Sequence, residues 1–134
     1  MKRLAILVLA ALLTGCAPRA QTPPAQPATQ VRPRSTAVLH ILNPSPDATV
    51  SGRTLRVRLE LKGARIIPQT SLDLAPDRGH VHLSLDGRVV SMAYGLEQDV
   101  AVTPGDHLIQ VEFVATDHFP FNPRVVTSVT FTVK

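Results

Sequence analysis

Three of the five histidines are candidates to share one ion. His80 and His82 lie two apart in the run Gly79-His80-Val81-His82-Leu83-Ser84-Leu85-Asp86-Gly87. Strand side chains alternate faces, so both imidazoles share one face while Val81, Leu83 and Leu85 share the other. Two such residues are about 6.6 Å apart at Cα, within reach of one cation. His118 comes later, in a turn-forming stretch beside Asp117. Neutral imidazoles, with Asp117 or Asp77 as an oxygen donor or outer partner, suit Zn²⁺ or Cu²⁺ by ligand type. The bland alternative is polar decoration of a wet strand, with His118 bonded only to its own loop.

The elements that would position these residues are strands. From residue 37 onward the apolar period is two. Strands are predicted over 38–42, 54–62, 79–85, 88–94, 98–102, 107–115 and 125–133, with a loop over 117–123. In 54–62, Leu55, Val57, Leu59 and Leu61 alternate with Arg56, Arg58, Glu60 and Lys62, giving one dry and one wet face. Ile66-Ile67 and Leu72-Asp73-Leu74 are candidates for short edge strands. Asp86-Gly87 is the pair a type I′ hairpin turn prefers, because both central residues need positive φ. That turn would set Leu85 opposite Arg88, Leu83 opposite Val90 and Val81 opposite Met92. Met92 then lies on the dry side, which argues against a soft His/Met copper site. No stretch sustains a helical period. About seven short strands with regular turns make an all-β antiparallel sandwich.

The second half carries a resemblance. Pro104-Gly105-Asp106-His107 is a Pro-Gly-x-His turn, and Asp117-His118-Phe119-Pro120 is an x-His-x-Pro loop before a final Val/Thr strand. Together with the Gly-x-x-His-Leu-x-x-Asp-Gly run, they resemble bacterial immunoglobulin-like domains of envelope and secreted proteins with no assigned function. The resemblance covers most of residues 79–134. It implies that the strands over 79–85 and 107–115 are antiparallel neighbours. The start of one then meets the end of the other, which gathers His80, His82 and His118. His107 is left at the opposite end, near Asp86. His40 is read as structural.

The N-terminus reads as a targeting segment. Lys2 and Arg3 precede an apolar run from Leu4 to Leu13, too short to span a bilayer, which takes about 20 residues. Leu13-Thr14-Gly15-Cys16 resembles the bacterial lipobox. The resemblance implies cleavage before Cys16, the only cysteine, and its lipidation. Ala17 follows, with no aspartate to mark retention at the inner membrane of a two-membrane cell. Residues 17–36, with Pro18, Pro23, Pro24, Pro27 and Pro33, read as an extended tether. The folded domain is expected over 37–134.

Composition narrows the function. The formal charge of +4 falls to about +2 once Lys2 and Arg3 are removed, too little to argue for nucleic acid. Trp is absent, so there is no base-stacking platform of the usual kind. One cysteine allows no intramolecular disulfide and no thiolate cluster. Ser84 beside His82 does not make a nucleophile and base with an orienting acid, and no phosphate loop occurs. Arg53, Arg56, Arg58, Lys62 and Arg65 form a basic stripe that could meet anionic lipid or polysaccharide, or simply solvate the sheet. Phe119 and Phe121, two of the four phenylalanines, flank Pro120 in a stiff loop that could bind a partner or plug the core. The reading is a lipid-anchored, non-catalytic binding or accessory module of the bacterial cell envelope. It faces the periplasm or the exterior, with an envelope protein or polysaccharide as partner. The alternative is a periplasmic or surface metal-binding protein for Zn or Cu, using the histidine cluster.

Overall fold

The computed structural model describes residues 31–134. Cys16, the targeting segment and most of the tether lie outside the described residues. Among the described residues, nine strands form two sheets. The smaller sheet has the order β1-β3-β7, from β1 (Val38–Asn43), β3 (Thr54–Lys62) and β7 (Glu97–Ala101). The larger has the order β2-β9-β8-β5-β4, from β2 (Ala48–Val50), β9 (Pro120–Val133), β8 (Gly105–Ala115), β5 (Arg78–Leu85) and β4 (Arg65–Ile66), and β6 (Arg88–Ser91) also pairs with β5. This is the strand order of an immunoglobulin-like sandwich. The long pairings are antiparallel, while the short β2–β9 and β4–β5 pairings are parallel.

The alternation in each strand decides what is buried. Leu55, Val57 and Leu59 of β3 face Val81 and Leu83 of β5, Ile109, Val111 and Phe113 of β8, and Phe131 and Val133 of β9 in one core. Each such side chain contributes about 1.5–3 kcal/mol when fully buried. The opposite face of β3 is ion-paired across strands. Arg56 lies opposite Asp99 and Arg58 near Glu97, with N···O distances of 2.8 and 3.2 Å. Lys62 pairs with Glu60 and Arg65 with Asp77. The stripe therefore carries little free positive charge. Exposed pairs of this kind are worth about 0–1 kcal/mol each.

Two local geometries position the histidines. Asp86 and Gly87 both have positive φ, 50° and 80°, as a type I′ turn requires. At the other end of β5, a Cβ on Gly79 would fall 1.9 Å from the Val114 carbonyl oxygen. Only glycine lets β5 and β8 close up here, in the register Gly79↔Ala115, His80↔Val114, His82↔Glu112.

Five expectations need correction. Leu85 does pair with Arg88, but Ser84 pairs with Val89 and Leu83 with Ser91, so a bulge absorbs Val90. The extra residue reverses the alternation beyond it, and β6 ends at Ser91 with Met92 exposed instead of on the dry side. The loop expected over 117–123 is shorter, because β9 begins at Pro120, opposite Val114. The chain bulges out between Pro120 and Val125. Phe121 is then only 2% exposed and stacks on Phe113 with ring centroids 5.5 Å apart. Its ring closes the core and offers nothing to a partner, whereas Phe119 is 64% exposed. Finally, residues 32–36, assigned to the tether by composition, lie along the sandwich. The Pro33 carbonyl accepts the Asn122 N–H, and the Thr36 N–H donates to the Pro76 carbonyl. Leu72-Asp73-Leu74 forms no strand.

Candidate metal centre

β5 and β8 run antiparallel, so the start of β5 lies beneath the loop that leaves β8. That loop, residues 116–119, carries His118 over the outer face of the sheet. His118 adopts φ +68°, a left-handed conformation uncommon for any residue but glycine. The loop is tied down on several sides. The His118 N–H donates to the Ala115 carbonyl and the Ala115 N–H to the Phe119 carbonyl, each at 3.0 Å. Thr116 Oγ1 donates to the Ser71 carbonyl at 3.0 Å. The Asp117 carboxylate accepts the Phe119 N–H and is gripped by both terminal nitrogens of Arg32.

The ring nitrogens converge. His80 Nε2 lies 2.9 Å from His118 Nδ1, and His82 Nε2 lies 3.3 Å from the same atom. All three donor atoms fall within 4.8 Å of one another. His118 Nε2 is 3.0 Å from Thr70 Oγ1, which fixes the ring from outside. The His80 ring is fully buried, against His118 at 4.2 Å, His82 at 5.2 Å and Tyr94 at 5.6 Å between centroids. Its Nδ1 has no hydrogen-bond partner among the described residues. His107 sits at the far end, with Nδ1 2.7 Å from Asp86 and Nε2 2.7 Å from the Thr103 carbonyl. His40 is exposed on β1.

Hydrogen bonding alone serves this cluster poorly. A neutral imidazole has one donor and one acceptor nitrogen. His118 Nδ1 has one lone pair in the ring plane, and two Nε2 atoms aim at it. Three nitrogens each about 2.0–2.1 Å from a tetrahedral ion stand about 3.3 Å apart, close to the two distances that reach His118 Nδ1, 2.9 and 3.3 Å. The donors are all nitrogen. Asp117, read from the sequence as an oxygen donor, is committed to Arg32, and Asp77 pairs with Arg65 at 3.2 Å. Glu112, opposite His82, is held by Arg124 at 2.6 Å. Three imidazoles and no thiolate suit a borderline cation such as Zn²⁺ or Cu²⁺, with a coordination position left over. Beside His82 runs a groove of about 220 Å³, bordered by Ser84, Gln110, Glu112 and Arg124.

Electrostatics follow from the crowding. Burial, then the neighbouring imidazoles of His118 and His82, pull His80 down to about 4, against the opposing charge of Asp117. Burial and His118 also lower His82, with Glu112 opposing. Burial by itself would raise the Asp117 carboxyl. The Arg32 hydrogen bond, the Phe119 N–H and the Arg32 charge outweigh it and hold the group below its ordinary value. At the far end, the Asp86 hydrogen bond raises His107.

The antiparallel neighbours that the resemblance implies place His80, His82 and His118 together, and the structure does so too. Thr70, Tyr94, Glu112 and Arg32 were not legible as neighbours. Glu112 could have been found by carrying the β5–β8 register one residue past Phe113. The other three lie in irregular segments where no period operates.

No protein-family model matches this chain, and no curated protein does. Among solved structures, the chain is similar to a fibronectin(III)-like module of Clostridium thermocellum CbhA. The identity is 17%, over 72% of this chain and 97% of that one, with a TM-score of 0.46. It is also similar to an endo-beta-1,4-mannanase from Thermotoga petrophila, at 15% identity over 73% of this chain and 20% of that one, with a TM-score of 0.47. An engineered protein matches at 14% identity over the same 73% of this chain and 20% of its own, with a TM-score of 0.45. The likeness is one of overall shape.

The buried His80 predicts an acid-sensitive fold. Its folded value, about 4, lies below the ordinary 6.5, so the unfolded chain takes up a proton first as pH falls. Stability is therefore lost between pH 6.5 and 4, by about 2–3 kcal/mol from this group. In chelator, urea melts at pH 7 and 4.5 should show that extra loss in the parent. It should be missing from His80→Phe, whose ring does not titrate. Equal losses in the two proteins would contradict it.

Proposed function

We propose that this protein is a lipid-anchored module of the bacterial cell envelope that binds Zn²⁺ or Cu²⁺ through His80, His82 and His118. One observation carries the metal half: two Nε2 atoms, one of them on the fully buried His80, meet a single Nδ1, at 2.9 and 3.3 Å. Nitrogens in that arrangement need either a shared proton or a cation, and a cation engages all three converging atoms at once. The Leu13-Thr14-Gly15-Cys16 run supports the anchor. An envelope site exposed to external metal would meet borderline cations with no thiolate chemistry to manage. A second reading is a non-catalytic accessory module that presents the 64% exposed Phe119 to an envelope protein or polysaccharide.

Calorimetric titration of the tag-free, detergent-solubilised chain separates the two. The metal reading expects one site tighter than about 10 μM. His82→Ala and His118→Asn should each weaken it at least about tenfold, Asn being chosen because it tolerates the left-handed backbone. His107→Ala should leave it unchanged. Absence of a site, or loss only with His107→Ala, would refute it. The anchor is tested separately. Cys16→Ala should move the protein from the detergent phase to the aqueous phase of fractionated cells, and unchanged membrane association would exclude lipidation at Cys16.

A further inference from the structure

The segment that arrives from the N-terminus docks on the loop that carries His118. Arg32 spends its guanidinium there. Nε donates to the Pro120 carbonyl at 2.8 Å, and Nη2 donates to the Phe119 carbonyl at 2.7 Å. Both terminal nitrogens grip the Asp117 carboxylate, whose side chain is only 6% exposed. The guanidinium also lies over the Phe119 ring, 5.9 Å from its centroid. Every one of these partners is within two residues of His118. Beyond Arg32, residues 33–36 run to Pro76, just ahead of β5, where Ser35 Oγ donates to the Pro76 carbonyl at 2.8 Å. The strap thus bridges the loop that bears His118 and the turn that leads into His80 and His82.

We propose that Arg32 is a positioning residue for the metal site, and that metal occupancy and docking of the strap over residues 32–36 are thermodynamically coupled. The proposal rests on the metal reading. His118 holds a left-handed backbone that the loop must enforce. Thr116 and Ala115 secure the start of that loop, and Arg32 secures its far side. Without the fork, Asp117 is a buried carboxylate with no cation, and the segment 117–120 relaxes toward water. His118 then leaves His80 and His82. Linkage makes the effect reciprocal. If the docked strap tightens metal binding by some factor, the metal tightens strap docking by the same factor. Occupancy of the site would thereby be reported on the chain that leads to the membrane anchor.

The test uses the tag-free, detergent-solubilised full chain and Zn²⁺ as probe. Arg32→Ala should weaken Zn²⁺ by about tenfold or more. Arg32→Lys should recover only part of that, because an ammonium cannot fork a carboxylate. Arg34→Gln should change nothing, since Arg34 is exposed. The Co²⁺-loaded Arg32→Ala protein should lose the absorption of a three-histidine tetrahedral site, which general destabilisation of a still-folded domain would not remove. In the parent, Zn²⁺ should slow tryptic cleavage after Arg34, because residues 32–36 must lift to enter the protease. That arm needs no variant to fold. Zn²⁺ binding in the parent, with unchanged affinity in Arg32→Ala and no slowing at Arg34, would overturn the coupling and leave the metal site standing. No Zn²⁺ binding in the parent would overturn both.

Discussion

The contact on which this structure turns is the close pairing of β5 with β8 at Gly79. The Val114 carbonyl occupies the space a side chain would need. A residue with a Cβ there would push the strands apart or force a slip. A slip of one residue would turn both histidines into the core and Val81 and Leu83 out of it. With the register held, the core side is closed by Val81, Leu83, Val111 and Phe113. The outer side is left to His80, His82 and the loop that returns from β8.

That outer side is unusual for a wet face. His80 belongs to the polar set of its strand, yet it is as inaccessible as any core leucine. The reason is the roof formed by His118 and Tyr94. Its unpartnered Nδ1 is costly, on the order of 1–3 kcal/mol for a buried group left unsatisfied. A fold that needed only to close a sheet end would place an apolar residue there. Burial keeps the imidazole neutral at ordinary pH, which is the form that ligates metal. The nearby carboxylates are paired with arginines and so are not free to compete for a cation. Both features fit a site selected for nitrogen donors.

Much of this was legible in the residues. Alternation located the seven main strands, Asp86-Gly87 named the hairpin turn, and antiparallel neighbours brought His118 to His80 while sending His107 to the other end. What failed did so where no period operates. The bulge at Val90 lies on an edge strand, where neither face is strongly specified, so alternation could not fix the register beyond it. Phe119 and Phe121 are two apart and looked equivalent. Only the path of the chain between Pro120 and Val125 turns one ring into the core and leaves the other out. Arg32 sat in a proline-rich stretch with no pattern to read. Its role depends on a carboxylate 85 residues away in sequence, and single-sequence spacing does not reach that far.

The central claim is that one ion sits among three particular nitrogens. The direct measurement is anomalous diffraction at the zinc edge from crystals of the Zn²⁺-loaded protein. The account predicts a single peak about 2.0–2.1 Å from Nε2 of His80, Nε2 of His82 and Nδ1 of His118, with Asp117 still on Arg32. A peak at His107 and Asp86, or one bound through the Asp117 carboxylate with Arg32 displaced, would contradict it.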